Sequence, residues 1–184
     1  MSMNGLNNAN ESSAEQLNVR IVLLPPFTVA SSHGIGKEPE ETVGNELDRF
    51  IRGKKLYEIK PDSRYFMFKH PNPGILPNDE RRCEAWVTIP DDMEVPAPLV
   101  KKRFGGGLYA VHAIQFPEFY RWGELEQWAT ESGQYEADYS GTDEIMSGCL
   151  EELLNRVYSS YIGICWGKDG IDGQVDLFLP IRFR

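Results

Sequence analysis

The chain has 184 residues, 41% of them hydrophobic, and a formal net charge of −9. That length fits one domain with a substantial core, and the acidic balance argues against direct nucleic-acid binding, because displacing counterions from phosphates takes a basic face. No apolar run approaches the roughly 20 residues a membrane helix needs, and the N-terminus lacks the basic-then-apolar pattern of a secretory leader, so no membrane contact and a cytoplasmic location are expected.

Residues 1–17, rich in Asn, Ser and Glu, are expected to form a flexible tail that cannot offset its own ordering entropy. Residues 18–184 then form a single domain. Arg20-Ile21-Val22-Leu23-Leu24 and Phe27-Thr28-Val29-Ala30 read as one strand bent at Pro25-Pro26, which lack the amide hydrogens a ladder needs. Pro39, Glu40 and Glu41 suit the first turn of a helix, and Val43, Leu47, Phe50 and Ile51 follow at helical spacing up to a stop at Gly53. Tyr65-Phe66-Met67-Phe68 is a short strand ended by Pro71-Asn72-Pro73-Gly74. In the next strand Cys83, Ala85, Val87 and Ile89 share one side, and Glu84, Trp86 and Thr88 share the other.

After a proline-containing linker over 91–98 the plan repeats. Val100 to Phe104 and Leu108 to Ile114 flank a glycine bend at 105–107, Pro117-Glu118 opens a second helix carrying Trp122, Leu125 and Trp128, Gly133 ends it, and a last strand covers Val175 to Ile181. Pro25-Pro26-Phe27-Thr28-Val29-Ala30 matches Gly106-Gly107-Leu108-Tyr109-Ala110-Val111 at an offset of 81 (108 − 27), so the half-repeats span about 19–92 and 99–184. Leu150-Glu151-Glu152-Leu153-Leu154 has helical propensity, whereas the repeat assigns it to a strand, with Glu151 in the place of Phe68. The strand reading is preferred. Residues 158–173 have no counterpart and read as an insertion.

Under the strand reading Glu151 is a partly buried carboxylate that calls for a charged or aromatic partner. A solvated helix face carrying Glu151 and Glu152 is the competing reading. Glu84 and Trp86, neighbours on one strand side, combine Coulombic and cation-π attraction for a flat organic cation; a core tryptophan beside an edge glutamate is the alternative. His33, His70 and His112 lack metal-ligand spacing, the glycines at 34–36 and 105–107 lack a dinucleotide or phosphate-loop context, and Cys83, Cys149 and Cys165 read as ordinary core thiols. No metal and no cofactor is expected.

Taken in order, Leu24-Pro25-Pro26-Phe27-Thr28-Val29-Ala30, Glu84-Ala85-Trp86-Val87-Thr88-Ile89-Pro90, Gly106-Gly107-Leu108-Tyr109-Ala110-Val111, Leu150-Glu151-Glu152 and Asp176-Leu177-Phe178-Leu179-Pro180-Ile181 resemble the GyrI-like effector-binding domains. The resemblance covers nearly everything from Val19 onward. It implies an α+β fold of duplicated β-α-β-β units, with an antiparallel sheet, helices on one side and a central ligand cleft. It also implies a stand-alone protein that binds small lipophilic or cationic aromatic compounds, with Glu151, Glu84, Trp86, Phe68, Tyr109 and Trp122 as ligand-binding residues. Some similar proteins hydrolyse the cyclopropane ring of DNA-alkylating natural products, which would make Glu151 and Glu84 catalytic; a gyrase-inhibitor-type protein-interaction module is a further alternative. Leu153 departs from the family pattern, in which an aromatic or histidine is usual after the acid, and weakens the catalytic assignment. The polar segment ahead of the domain is too short for a helix-turn-helix, so a regulatory role would require a separate protein partner, and a homodimer is an alternative.

Overall fold

The computed structural model describes residues 17–69, 81–140, 148–154 and 173–184. Of the expected tail over 1–17 all but Leu17, and of the insertion at 158–173 all but Gly173, lie outside them, as does the Pro71-to-Gly74 strand end. Among these residues nine strands and three helices follow in chain order: β1 Arg20–Leu24, β2 Phe27–Gly36, α1 Pro39–Lys54, α2 Leu56–Ile59, β3 Tyr65–Lys69, β4 Arg81–Ile89, β5 Val100–Phe104, β6 Gly107–Gln115, α3 Arg121–Glu131, β7 Tyr135–Ala137, β8 Leu150–Leu153 and β9 Gln174–Phe183. The strands form one antiparallel sheet in the order β1-β6-β9-β8-β3-β4-β2-β5, with β7 added along β9. The α+β, duplicated arrangement expected from the sequence is the observed one, and 150–153 is a strand.

β1 and β2 are not one bent strand. The Pro25-Pro26 bend sends β1 to pair with β6 in the other half of the sheet, and the glycine bend at 105–106 sends β5 back to pair with β2. Each half therefore takes its edge strand from its sibling. The two bends touch: a Cβ on Gly106, whose φ is +81°, would stand 2.5 Å from the Leu24 carbonyl oxygen. Gly106→Ala combines this collision with a disfavoured left-handed backbone, and it is expected to lower stability by more than about 1 kcal/mol, read as a lower urea midpoint at unchanged slope.

Apolar residues at helical spacing place Val43, Leu47, Phe50 and Ile51 of α1, with Leu125 and Ala129 of α3, against one sheet face. Strand alternation supplies Tyr65, Met67, Cys83, Ala85, Val87, Val175, Leu177 and Leu179 to meet them. Both helices lie on this side, as anticipated, although their ends differ. α1 runs past Gly53 to Lys54 and stops where Lys55 takes a left-handed conformation, because the chain turns at once into α2. α3 starts at Arg121 after turns over 117–120, and Ser132 ends it. Among the described residues no helix is long and apolar enough to cross a membrane.

The opposite face carries a separate aromatic cluster, with no helical residue in it. Strands two apart in a flat sheet stand about 9.5 Å apart. Yet ring centroids of Phe27 and Phe66, which flank β4, are 5.6 Å apart, and those of Trp86 and Phe104, which flank β2, are 5.9 Å apart. The sheet curls around its rings and wears its helices on the outside.

Candidate functional site

Correct phasing of the halves decides which side chains enter the curl. The β1-bend-β2 and β5-bend-β6 units correspond at 80 residues (Leu24 to Phe104, Val29 to Tyr109), one less than the sequence match suggested. Val29 faces Thr88 and Tyr109 faces Pro180, so Trp86 corresponds to Phe178 and Glu84 to Asp176. Phe66 faces Trp86 and Leu150 faces Phe178, so Phe68 corresponds to Glu152. Glu152, not Glu151, takes the place of Phe68. The four-residue strand Leu-Glu-Glu-Leu is apolar at both ends, and its outer residues point to opposite faces, so its pattern alone did not reveal the frame.

The expected site residues therefore divide between two faces. Glu84, Trp86, Phe68 and Tyr109 converge on the ring side. Phe68 meets Trp86 edge-on at 4.9 Å, and Tyr109 meets Phe178 edge-on at 5.8 Å while its hydroxyl donates to the Gly148 carbonyl at 3.3 Å. Burial raises the Tyr109 phenol above its ordinary range, so it stays a neutral donor. Glu151 and Trp122 lie behind the sheet, on the helix side, where the indole of α3 donates to the Glu151 carboxylate at 3.1 Å.

Among the described residues the ring side also holds three buried carboxylates, each matched to a cation within the protein. One oxygen of Glu84 accepts from the Ser31 hydroxyl at 2.5 Å, the Trp86 indole at 2.6 Å and the Lys102 ammonium at 2.6 Å. Burial alone would raise this carboxyl, but the Lys102, Ser31 and Trp86 hydrogen bonds outweigh it and hold Glu84 below the usual value. Asp176, its counterpart, pairs with Arg20. In both pairs the acid stands two strands in from the edge and the base comes from the borrowed edge strand. Glu152 accepts both prongs of Arg64, at 2.7 and 2.6 Å, and that guanidinium lies 5.0 Å from the centre of the Phe66 ring and 5.5 Å from that of Phe178.

Glu151 differs. Among the described residues it makes no ion pair, and burial pushes it up to about 7 despite the Trp122 hydrogen bond and the nearby Lys69, itself paired with Glu40 at 3.6 Å. Cys83 and Cys149 are buried, and burial pushes the Cys149 thiol up to about 12, which leaves it unreactive at neutral pH. Cys165 lies outside the described residues.

A cleft of about 400 Å³ opens onto the rings where β5 approaches the start of β6 and the end of β9; Trp86, Lys102, Phe104, Tyr109 and Pro180 are in its wall. Such a volume accommodates a drug-sized molecule. Sequence reasoning missed Glu152, Asp176, Lys102, Arg20 and Arg64. The available signal was the pair Glu84-Ala85-Trp86 and Asp176-Leu177-Phe178, acid-x-aromatic on corresponding strands, visible only in the right phase.

The profile of the Cass2 family, described as integron-associated effector binding protein, matches residues 20–181. The chain belongs to the Cass2 family. Effector binding is thus the general character of this Cass2 protein, and the GyrI-like effector-binding fold expected from its motifs is confirmed. The C-terminal domain of EcmrR is similar in structure, with a TM-score of 0.59 at 12% identity, covering 91% of this chain and 98% of that domain. An uncharacterized conserved protein from Listeria innocua reaches 0.61 at 12% identity, and a hydrolase from the same organism 0.59 at 10%; each comparison covers 92% of this chain and 94% of the other. At such identities these likenesses concern the fold alone. No curated protein matches the chain.

Proposed function

We propose that this Cass2 protein binds a small lipophilic aromatic cation in the cleft on the ring side of the sheet, against Trp86, Phe104 and Tyr109, with the charge directed toward the buried acids. One observation carries the reading: aromatic side chains and the carboxylates of Glu84, Glu152 and Asp176 gather on the face that the helices leave free, and a cleft opens there. A core built for stability alone gains little from buried charges, whose desolvation rivals their mutual attraction. A site for a flat cation gains from both parts, rings through their negative faces and acids through charge.

The proposed contacts are Trp86, Tyr109, Phe68 and Glu84 from the expected set, joined by Glu152, while Glu151 and Trp122 stand outside. Glu84 and Glu151, the two acids considered for hydrolysis, occupy opposite faces and cannot act together on one substrate, which favours binding over a two-carboxylate reaction. A rhodamine-type dye titrated against the protein and followed by fluorescence anisotropy is expected to bind in the micromolar range. Trp86→Phe keeps an aromatic core but removes the larger ring and the indole donor, and should weaken binding by about 1 kcal/mol or more. Glu151→Gln should leave affinity unchanged. Loss of binding in Glu151→Gln with none in Trp86→Phe would place the ligand on the helix side instead.

A further inference from the structure

Arg64 sits on the bend just ahead of β3, its carbonyl accepting from the Thr88 amide at 2.9 Å and its amide donating to the Thr88 hydroxyl at 2.8 Å. Its backbone is therefore fixed, but its side chain, 30% exposed, reaches from the rim into the curl. There it satisfies the two demands that a flat cationic ligand would satisfy: two hydrogen bonds to Glu152, and contact with the rings of Phe66 and Phe178. A chain of ring contacts joins this point to the cleft, from Trp86 to Phe104 at 5.9 Å, on to Phe27 at 4.7 Å and then to Phe66 at 5.6 Å.

We propose that Arg64 is a resident surrogate for the ligand's cation: it occupies Glu152 and the Phe66 and Phe178 rings, and a ligand must displace it to seat its charge there. This rests on the binding reading of the cleft given above and assigns a cation subsite joined to the cleft by those ring contacts. Glu152 suits the exchange better than Glu84. A single Glu84 oxygen is held by three donors from three strands of the sheet, Ser31 on β2, Trp86 on β4 and Lys102 on β5, whereas both oxygens of Glu152 are held by one side chain that starts at the rim. The consequence is selectivity. A neutral aromatic fills the cleft without disturbing Arg64, while a cation gains Glu152 only if its rings and charge together outcompete the guanidinium, and a small non-aromatic cation does not.

The test compares two probes, cationic rhodamine 6G and neutral 1-aminoanthracene, on the parent protein, Arg64→Met, Arg64→Lys and Arg64→Met/Glu152→Gln. Arg64→Met is expected to bind the cation about tenfold more tightly, since the acid and rings stand free. The double variant should return to parental affinity or below, and the neutral probe should bind all four forms alike. Arg64→Lys retains the charge without the planar fork, so it safeguards the test should Arg64→Met fold poorly, and it should bind the cation moderately more tightly than the parent. No gain in either single variant, or an equal gain for the neutral probe, would overturn the assignment of Arg64 while leaving the cleft intact as a binding site if the parent binds in a Trp86-dependent way. Failure of both probes to bind any form would end both readings.

Discussion

Glu151→Gln is expected to make the protein more stable at pH 8 and to change it little near pH 4. The folded carboxyl is raised from its ordinary 4.5 to about 7 by burial, whereas the unfolded chain ionises near 4.5. The folded state therefore holds the proton more tightly, and stability falls as pH rises through the window from about 4.5 to 7, then levels off. A shift of that size corresponds to up to about 3 kcal/mol. Glutamine keeps an oxygen for the Trp122 indole and removes the ionisation, so urea midpoints of parent and variant should nearly coincide at low pH and separate above pH 7. Equal midpoints at pH 8 would mean that water reaches this acid freely.

The second large effect has the opposite sign. Lys102→Met removes the ammonium from Glu84, a residue 3% exposed, and leaves a carboxylate in the aromatic interior with only the Ser31 and Trp86 donors. Breaking a buried pair from one side costs several kcal/mol, and since the Lys102 end is 37% exposed, about 2 kcal/mol is expected. In the parent, Glu84 is held below its usual value, so its contribution is present above about pH 4.5 and disappears as pH falls through the lower folded value. The variant's deficit should accordingly be largest at neutral pH and shrink on acidification. Glu84→Gln combined with Lys102→Met should recover much of the loss, because a neutral amide can still accept from Ser31 and Trp86.

Much of the fold was legible because its signals are local and redundant. Pro39 with Glu40 and Glu41 marked the start of α1, and the alternation of Cys83, Ala85, Val87 and Ile89 against Glu84, Trp86 and Thr88 correctly sorted β4 into its two faces. The exchange of edge strands was not legible, since a proline bend and a glycine bend read equally as kinks within a strand or as departures to another partner. The site was half legible for a related reason. Trp86 and Glu84 declared their common face through a nine-residue strand, but four-residue β8 offers no such run, and a one-residue error of phase turns Glu152 into Glu151. The internal cations escaped notice because Arg64, Lys102 and Arg20 lie 88, 18 and 156 residues from the acids they neutralise.

Reciprocal lending of β1 and β5 interlocks the two halves, so neither owns a complete set of hydrogen-bonded neighbours. Arg20 meets Val111 across 91 positions of chain, and such distant closures come late in folding because their loop entropy is lost before any contact repays it. The clasp that finishes the architecture is also what delivers Arg20 to Asp176 and Lys102 to Glu84. Charge neutralisation and topological completion are consequently one event at each margin: fraying of β1 or β5 would unlock the fold and strip Asp176 or Glu84 of its balancing charge together.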